Sequence, residues 1–123
     1  MKLGEIGEDR LLAQLLPRLP LNRSVVLGAG DDCAVVKGPR PDTLQLLKTD
    51  CIVEGIHFTT ASSPESVGWK AMARPLSDFA AMSGLPCFAL VTMIVPTDKT
   101  LDWMKRVYRG LEKAARTFDV AIV

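Results

Sequence analysis

Aspartates set at the ends of apolar segments are the chemistry-bearing feature of this 123-residue chain. Asp31 and Asp32 follow Val25-Val26-Leu27 through Gly28-Ala29-Gly30, and Asp50 closes the apolar segment that ends in Lys48-Thr49. Asp78 stands within Leu76-Ser77-Asp78-Phe79-Ala80-Ala81-Met82-Ser83-Gly84. Carboxylates suit a hard cation such as Mg²⁺, which keeps several waters and takes one or two protein carboxylates alongside substrate phosphates. Glycines such as Gly28 and Gly30 let backbone come close to a ligand, and an acid at the carboxyl end of a strand faces the ligand crevice of α/β sheets. Phosphoryl transfer asks the protein mainly for positioning and charge neutralisation. The lack of a Ser-His-Asp or Cys-His set is therefore no objection to an enzyme of this kind.

Each feature also has a plainer reading when taken alone. Gly28-Ala29-Gly30-Asp31-Asp32 can be an acidic turn; it is neither a dinucleotide fingerprint nor a P-loop, having no third glycine in place and no Gly-Lys-Ser/Thr. Asp50 can be a solvated strand terminator, and Asp78 an acid capping a broken helix. His57, the only histidine, lies in Glu54-Gly55-Ile56-His57-Phe58. It cannot build a zinc site with these neighbours, but it can hydrogen-bond a phosphate or substrate, or serve as a satisfied structural residue.

The elements that must position these groups follow from pattern and punctuation. A loose apolar stripe over 5–16 (Ile6, Leu11, Leu12, Leu15, Leu16) predicts a helix stopped by Pro17. Strands are expected at 25–27, 33–36 and 44–49, with turn chemistry at 38–42. A capping box from Ser62 to Glu65, with Pro64 in the first turn, opens a helix. Pro75 should kink or restart that helix, since an interior proline costs ~3 kcal/mol, placing Asp78 near a new helix N-terminus. The apolar run 88–95 reads as a buried strand, and 99–118 as the strongest helix, with Leu101, Met104, Val107, Tyr108, Leu111, Ala115 and Phe118 on one face. Residues 119–123 begin another strand. Mixed strands and helices without strict alternation predict an α/β or α+β domain with a mixed sheet and helices packed on one face.

Composition narrows the class. The length fits about one domain, at ~100–200 residues each, with one core. Fifteen Lys and Arg against fourteen Asp and Glu give a net charge of +1 with no basic stripe, which argues against nucleic-acid binding. No apolar run is long enough for a membrane span, and no secretory h-region is visible. Cys33, Cys51 and Cys87 read as reduced, packed thiols of a cytoplasmic protein.

The ordered set GAGDDCAVV, KTDCIVEGIHF and LSDFAAMSG resembles the N-terminal half of the thiamine-monophosphate kinase family, within the aminoimidazole ribonucleotide synthetase-like ATP-binding superfamily. The resemblance covers about residues 4–123. It implies ATP-dependent phosphorylation of thiamine phosphate to thiamine diphosphate, assisted by Mg²⁺, in a homodimer whose N-terminal sheets join. It implies that Asp32, Asp50 and Asp78 are magnesium ligands, with Thr49 contributing through its backbone. It implies that His57 contacts thiamine phosphate and that Gly30 and Asp31 border the nucleotide. Two positions depart from the pattern: Lys48 stands where a serine is common, and Pro75 where an asparagine is common. A glycine-rich GGDTT-like segment is expected after a strand such as 120–123, so the sequence reads as an N-terminal piece, a single ATP- and magnesium-binding domain over 1–123. The alternatives are a sibling enzyme of the superfamily acting on another acceptor, and a non-catalytic dimerisation module.

Overall fold

Turn residues at 28–32 and 38–42 cut the chain ahead of Asp50 into three short strands. The computed structural model describes residues 2–123, in two units, one ending at Lys48 and one spanning Thr49–Val123. The first unit opens with α1 (Leu3–Ile6), α2 (Glu8–Leu15) and a 3-10 turn (Leu16–Arg18). The single helix expected over 5–16 is thus divided at Gly7, and none of its residues is buried. The strands β1 (Val25–Leu27), β2 (Ala34–Lys37) and β3 (Leu44–Leu47) form an antiparallel sheet in that order. Ala34 faces Leu47 and Lys37 faces Leu44, while an irregularity separates Val25 from Leu27. The β2–β3 hairpin is closed by the Gly38 N–H donating to the Thr43 carbonyl at 2.8 Å. Cys33 and Val35 are the buried apolar residues here, whereas Val26, Leu27, Leu44 and Leu47 stand exposed on the same sheet.

The second unit runs through an irregular segment to α3 (Pro64–Ala81), then β4 (Phe88–Ala89), α4 (Leu101–Thr117) and β5 (Ala121–Ile122). The Ser63 hydroxyl caps α3 by accepting the Ser66 N–H at 3.2 Å, one residue later than the sequence suggested. Ser62 instead accepts the Thr59 N–H at 3.1 Å. Pro75 does not restart the helix as a second element: α3 is continuous through it. Tertiary packing against α4 overrides the local proline penalty, and the Ser77 hydroxyl donates to the Arg74 carbonyl at 2.7 Å beside the interruption. Thr100 caps α4 by accepting the Trp103 N–H at 3.0 Å.

The two long helices meet at glycines. A Cβ on Gly68 would overlap the Val107 carbonyl oxygen and lie 2.8 Å from the Leu111 nitrogen. A Cβ on Gly110 would overlap the Glu65 carbonyl oxygen and lie 2.9 Å from the Trp69 nitrogen. Backbone therefore touches backbone on both sides, and the core gathers around this contact: Met72 from α3, with Val107, Leu111, Ala114 and Ala115 from α4 and Val120 beyond it. The apolar stripe anticipated on α4 is buried in its middle, while Leu101, Tyr108 and Phe118 are exposed.

The strands β4 and β5 pair in parallel, Phe88 with Ala121 and Ala89 with Ile122, with α4 as their crossover. Of the buried strand expected over 88–95, Phe88 and Ala89 form the ladder with β5. Leu90 and Ile94, 86% and 98% exposed, lie beyond that ladder. The cysteine expectation holds only in part: Cys33 is buried, but Cys51 and Cys87 are exposed, and none of the three forms a disulfide. Both exposed thiols lie outside the helices and strands. The class is α/β, as the pattern indicates.

Glu65 ties the start of α3 to α4. Arg106 grips it with two bonds, Nε to Oε1 at 2.8 Å and Nη2 to Oε2 at 3.0 Å, and Arg109 adds a third at 3.3 Å. These guanidinium bonds, Arg106 foremost, hold the Glu65 carboxyl down at about 2 and raise Arg106.

Two outcomes follow from this packing. Gly68→Ala and Gly110→Ala should each destabilise the chain by about 3 kcal/mol, the upper end of the overpacking range, because backbone cannot yield as a side chain can; denaturant unfolding measures this. A carboxyl held low stabilises the fold above its ordinary value of 4.5, and that stabilisation is lost as pH falls towards about 2. The melting-temperature gap between the chain and Glu65→Gln should accordingly close across that interval.

Candidate functional site

In the first unit, the connection between β1 and β2 carries Gly28-Ala29-Gly30-Asp31-Asp32. Gly30 has φ of 132°, a conformation side chains rarely adopt, so the turn requires glycine there. The Asp31 Oδ1 accepts the Asp32 N–H at 2.8 Å, and both acids are exposed. The turn therefore presents two carboxylates to solvent at the carboxyl end of β1, as the sequence indicated.

In the second unit, Thr49, Asp50 and His57 lie in the irregular segment before α3, and Asp78 lies on α3 itself. Three cations fasten that segment. Arg74 Nε bonds Asp50 Oδ2 at 3.2 Å, the Lys70 ammonium bonds the His57 carbonyl, and Lys99 Nζ bonds Glu54 at 3.1 Å while lying 5.2 Å from the Trp103 ring centre. Asp50 also accepts the Cys51 N–H at 2.7 Å through Oδ1, and its side chain is only 17% exposed although its backbone is open. Exposed ion pairs are worth about 0–1 kcal/mol each. These bonds therefore matter for where they hold Asp50 and His57 more than for stability.

Lys70, Arg74 and Asp78 follow one another at four-residue spacing and so share one face of α3. That face takes hold of the Asp50 and His57 segment through its first two members and carries the third acid one turn further on. The continuity of α3 corrects one expectation: Asp78 sits in the last turn of a long helix, not at a new N-terminus. Lys70 and Arg74 were missed from the sequence. The signal was available in their spacing ahead of Asp78, but Pro75 drew the helix boundary through it.

Among the described residues, no three His, Cys, Asp or Glu side chains gather as a metal cluster. The donor chemistry nevertheless fits Mg²⁺, which takes only one or two carboxylates when phosphates complete its shell. In the second unit Asp50 and Asp78 carry hard carboxylate oxygens and Thr49 a backbone carbonyl; in the first, Asp32 carries a carboxylate of the same kind.

Residues 30–123 match the family model described as AIR synthase related protein, N-terminal domain. Thiamine-monophosphate kinase of Synechococcus elongatus is 34% identical over 98% of this chain, and that of Bacillus subtilis is 35% identical over 96%. A solved structure of AaThiL complexed with AMPPCP and TMP superposes on 100% of the chain with a TM-score of 0.89 at 34% identity. The chain spans 36% of the length of each of those two kinases and 38% of the solved chain.

Removing the Arg74 grip should free the Asp50 segment without loosening the helices. In Arg74→Met, amide hydrogen exchange at Cys51 should quicken, whereas exchange at Leu111 stays as in the unaltered chain. Equal quickening at both would show that Arg74 serves the core instead.

Proposed function

The chain belongs to the AIR synthase-related N-terminal-domain family, and from that premise we propose that it is the nucleotide-binding portion of a thiamine-monophosphate kinase. The reaction transfers the γ-phosphoryl group of ATP to an oxygen of thiamine phosphate, forming thiamine diphosphate and ADP. The observation that carries this reading is the segment bearing Thr49, Asp50 and His57 fastened to the α3 face that also bears Asp78. The relatives' names support it, as does a structural neighbour holding AMPPCP, an ATP analogue, together with TMP.

Asp32, Asp50 and Asp78 would hold Mg²⁺ by carboxylate oxygens, with Thr49 adding its carbonyl. When bound, Mg²⁺ supplies charge neutralisation on the phosphate oxygens. Gly30 lets the β1–β2 turn come close to the nucleotide, with Asp31 beside it, and His57 contacts thiamine phosphate.

We read the chain as one domain, since the matched span 30–123 runs from the first unit into the second. We also read it as half of a homodimer. Leu85, Phe88, Leu90 and Ile94 are between 73% and 98% exposed along one stretch, apolar surface suited to a second copy's sheet. No described helix is long and apolar enough to cross a membrane, and a cytoplasmic enzyme fits the reading.

The test is thiamine diphosphate formation from thiamine phosphate, ATP and Mg²⁺. The chain is assayed alone and as a chimera carrying the remaining sequence of the Synechococcus elongatus relative. Turnover by the chimera is expected, with Asp50→Asn and Asp78→Asn each lowering kcat at least about 100-fold, as loss of a charge-stabilising contact does. Unchanged turnover in both variants would remove the metal assignment. Turnover only with another phosphoryl acceptor would move the chain to a sibling enzyme. A stable dimer that binds neither ATP nor Mg²⁺ would make it a dimerisation module.

A further inference from the structure

The segment around His57 is closed by its own backbone. The Gly55 N–H donates to the Phe58 carbonyl at 2.8 Å, and the Ile56 and His57 N–H groups both donate to the Val53 carbonyl, at 3.2 and 2.8 Å. The return bond comes from the same residue: the Val53 N–H donates to His57 Nδ1 at 3.0 Å. Lys70 holds the far side of this turn through the His57 carbonyl. The imidazole, half-buried, is thus fixed relative to a five-residue backbone ring and to α3.

A backbone N–H can only donate, so Nδ1 must present a lone pair to it. A neutral imidazole carries one N–H and one acceptor nitrogen. The proton therefore sits on Nε2, and the second nitrogen's hydrogen bond decides what the first can do. We propose that Val53 locks His57 in the Nε2–H tautomer, so that the residue meets the substrate as a neutral hydrogen-bond donor to a phosphate oxygen. In this state Nε2 has no lone pair for a proton or a metal ion, which separates His57 from the carboxylates as a positioning group. The donor role rests on the reading that His57 contacts thiamine phosphate; the tautomer does not.

His57 is the only histidine in the chain, so its ring nitrogens can be read directly by ¹⁵N NMR at neutral pH. A pyridine-like Nδ1 and a pyrrole-like Nε2 are expected; the reverse pattern, or averaged signals from exchanging tautomers, would overturn the proposal. The donor role is read in the chimera. The amide nitrogen of glutamine reaches the position of Nε2, whereas that of asparagine reaches only the position of Nδ1. The KM for thiamine phosphate should rise at least about tenfold more in His57→Asn than in His57→Gln, the worth of a hydrogen bond to a charged group. Equal rises would remove the donor role while leaving the ring spectrum to decide the tautomer. An unaltered chimera with no turnover of thiamine phosphate would strike the functional reading itself, and the spectrum, which needs no substrate, would be untouched by it.

Discussion

Backbone contact between α3 and α4 at Gly68 and Gly110 is the constraint on which the second unit rests. No other residue type fits at either point, so the approach of the helices is set by main-chain atoms rather than by side chains that can repack. The buried residues of α4 then fill the space on one side of the contact, and Glu65 with Arg106 and Arg109 closes another. With its packed side committed, α3 has a separate face left for Lys70, Arg74 and Asp78. The spacing of those residues along the helix becomes the spacing of what they hold. A looser helix pair would let α3 roll, and the Asp50 and His57 segment would roll with it.

The first unit is built on a different balance. Its sheet buries Cys33 and Val35 but leaves Val26, Leu27, Leu44 and Leu47 in contact with solvent, and none of α2 is buried. At about 25 cal/mol per Å² of apolar surface buried, so thin a core adds little to stability. Its strands are short and joined by turns whose geometry is fixed locally, by Gly30 and by the Gly38–Thr43 bond. The acidic turn thus owes its shape to backbone chemistry and would keep it under changes in the apolar face.

Local signals in the sequence were read well where local physics decides. The helix over α4 was legible because its apolar period is strong, and β1, β2 and β3 because turn residues bracket them. The acidic turn and the position of Asp50 were legible because glycines punctuate the one and an apolar strand ends shortly before the other. What escaped was decided by tertiary contact. Gly68 and Gly110 drew no reading from the sequence, because their role exists only once a second helix lies against them. Pro75 reads as a boundary until packing holds α3 together across it. The run 88–95 reads as a full strand because an apolar pattern does not say which of its residues find a pairing partner. Lys70, Arg74 and Lys99 went unnoticed because a cation's role depends on what it reaches: a carbonyl 13 positions away, or carboxylates 24 and 45 positions away.

The same economy of backbone bonds recurs at the three chemistry-bearing residues whose partners are visible. Asp31 accepts the N–H of Asp32, Asp50 accepts that of Cys51, and His57 Nδ1 accepts that of Val53. Each bond spends one acceptor position on the main chain and in return fixes the side chain's rotamer before any ligand arrives. Immobilising a side chain costs about 0.5–1.5 kcal/mol, and each of these bonds meets part of that cost within the fold itself. Surface ion pairs alone would not do this, since a lysine or arginine brings its own disorder to the pair. Here the cations hold the segment and the peptide groups hold the side chains.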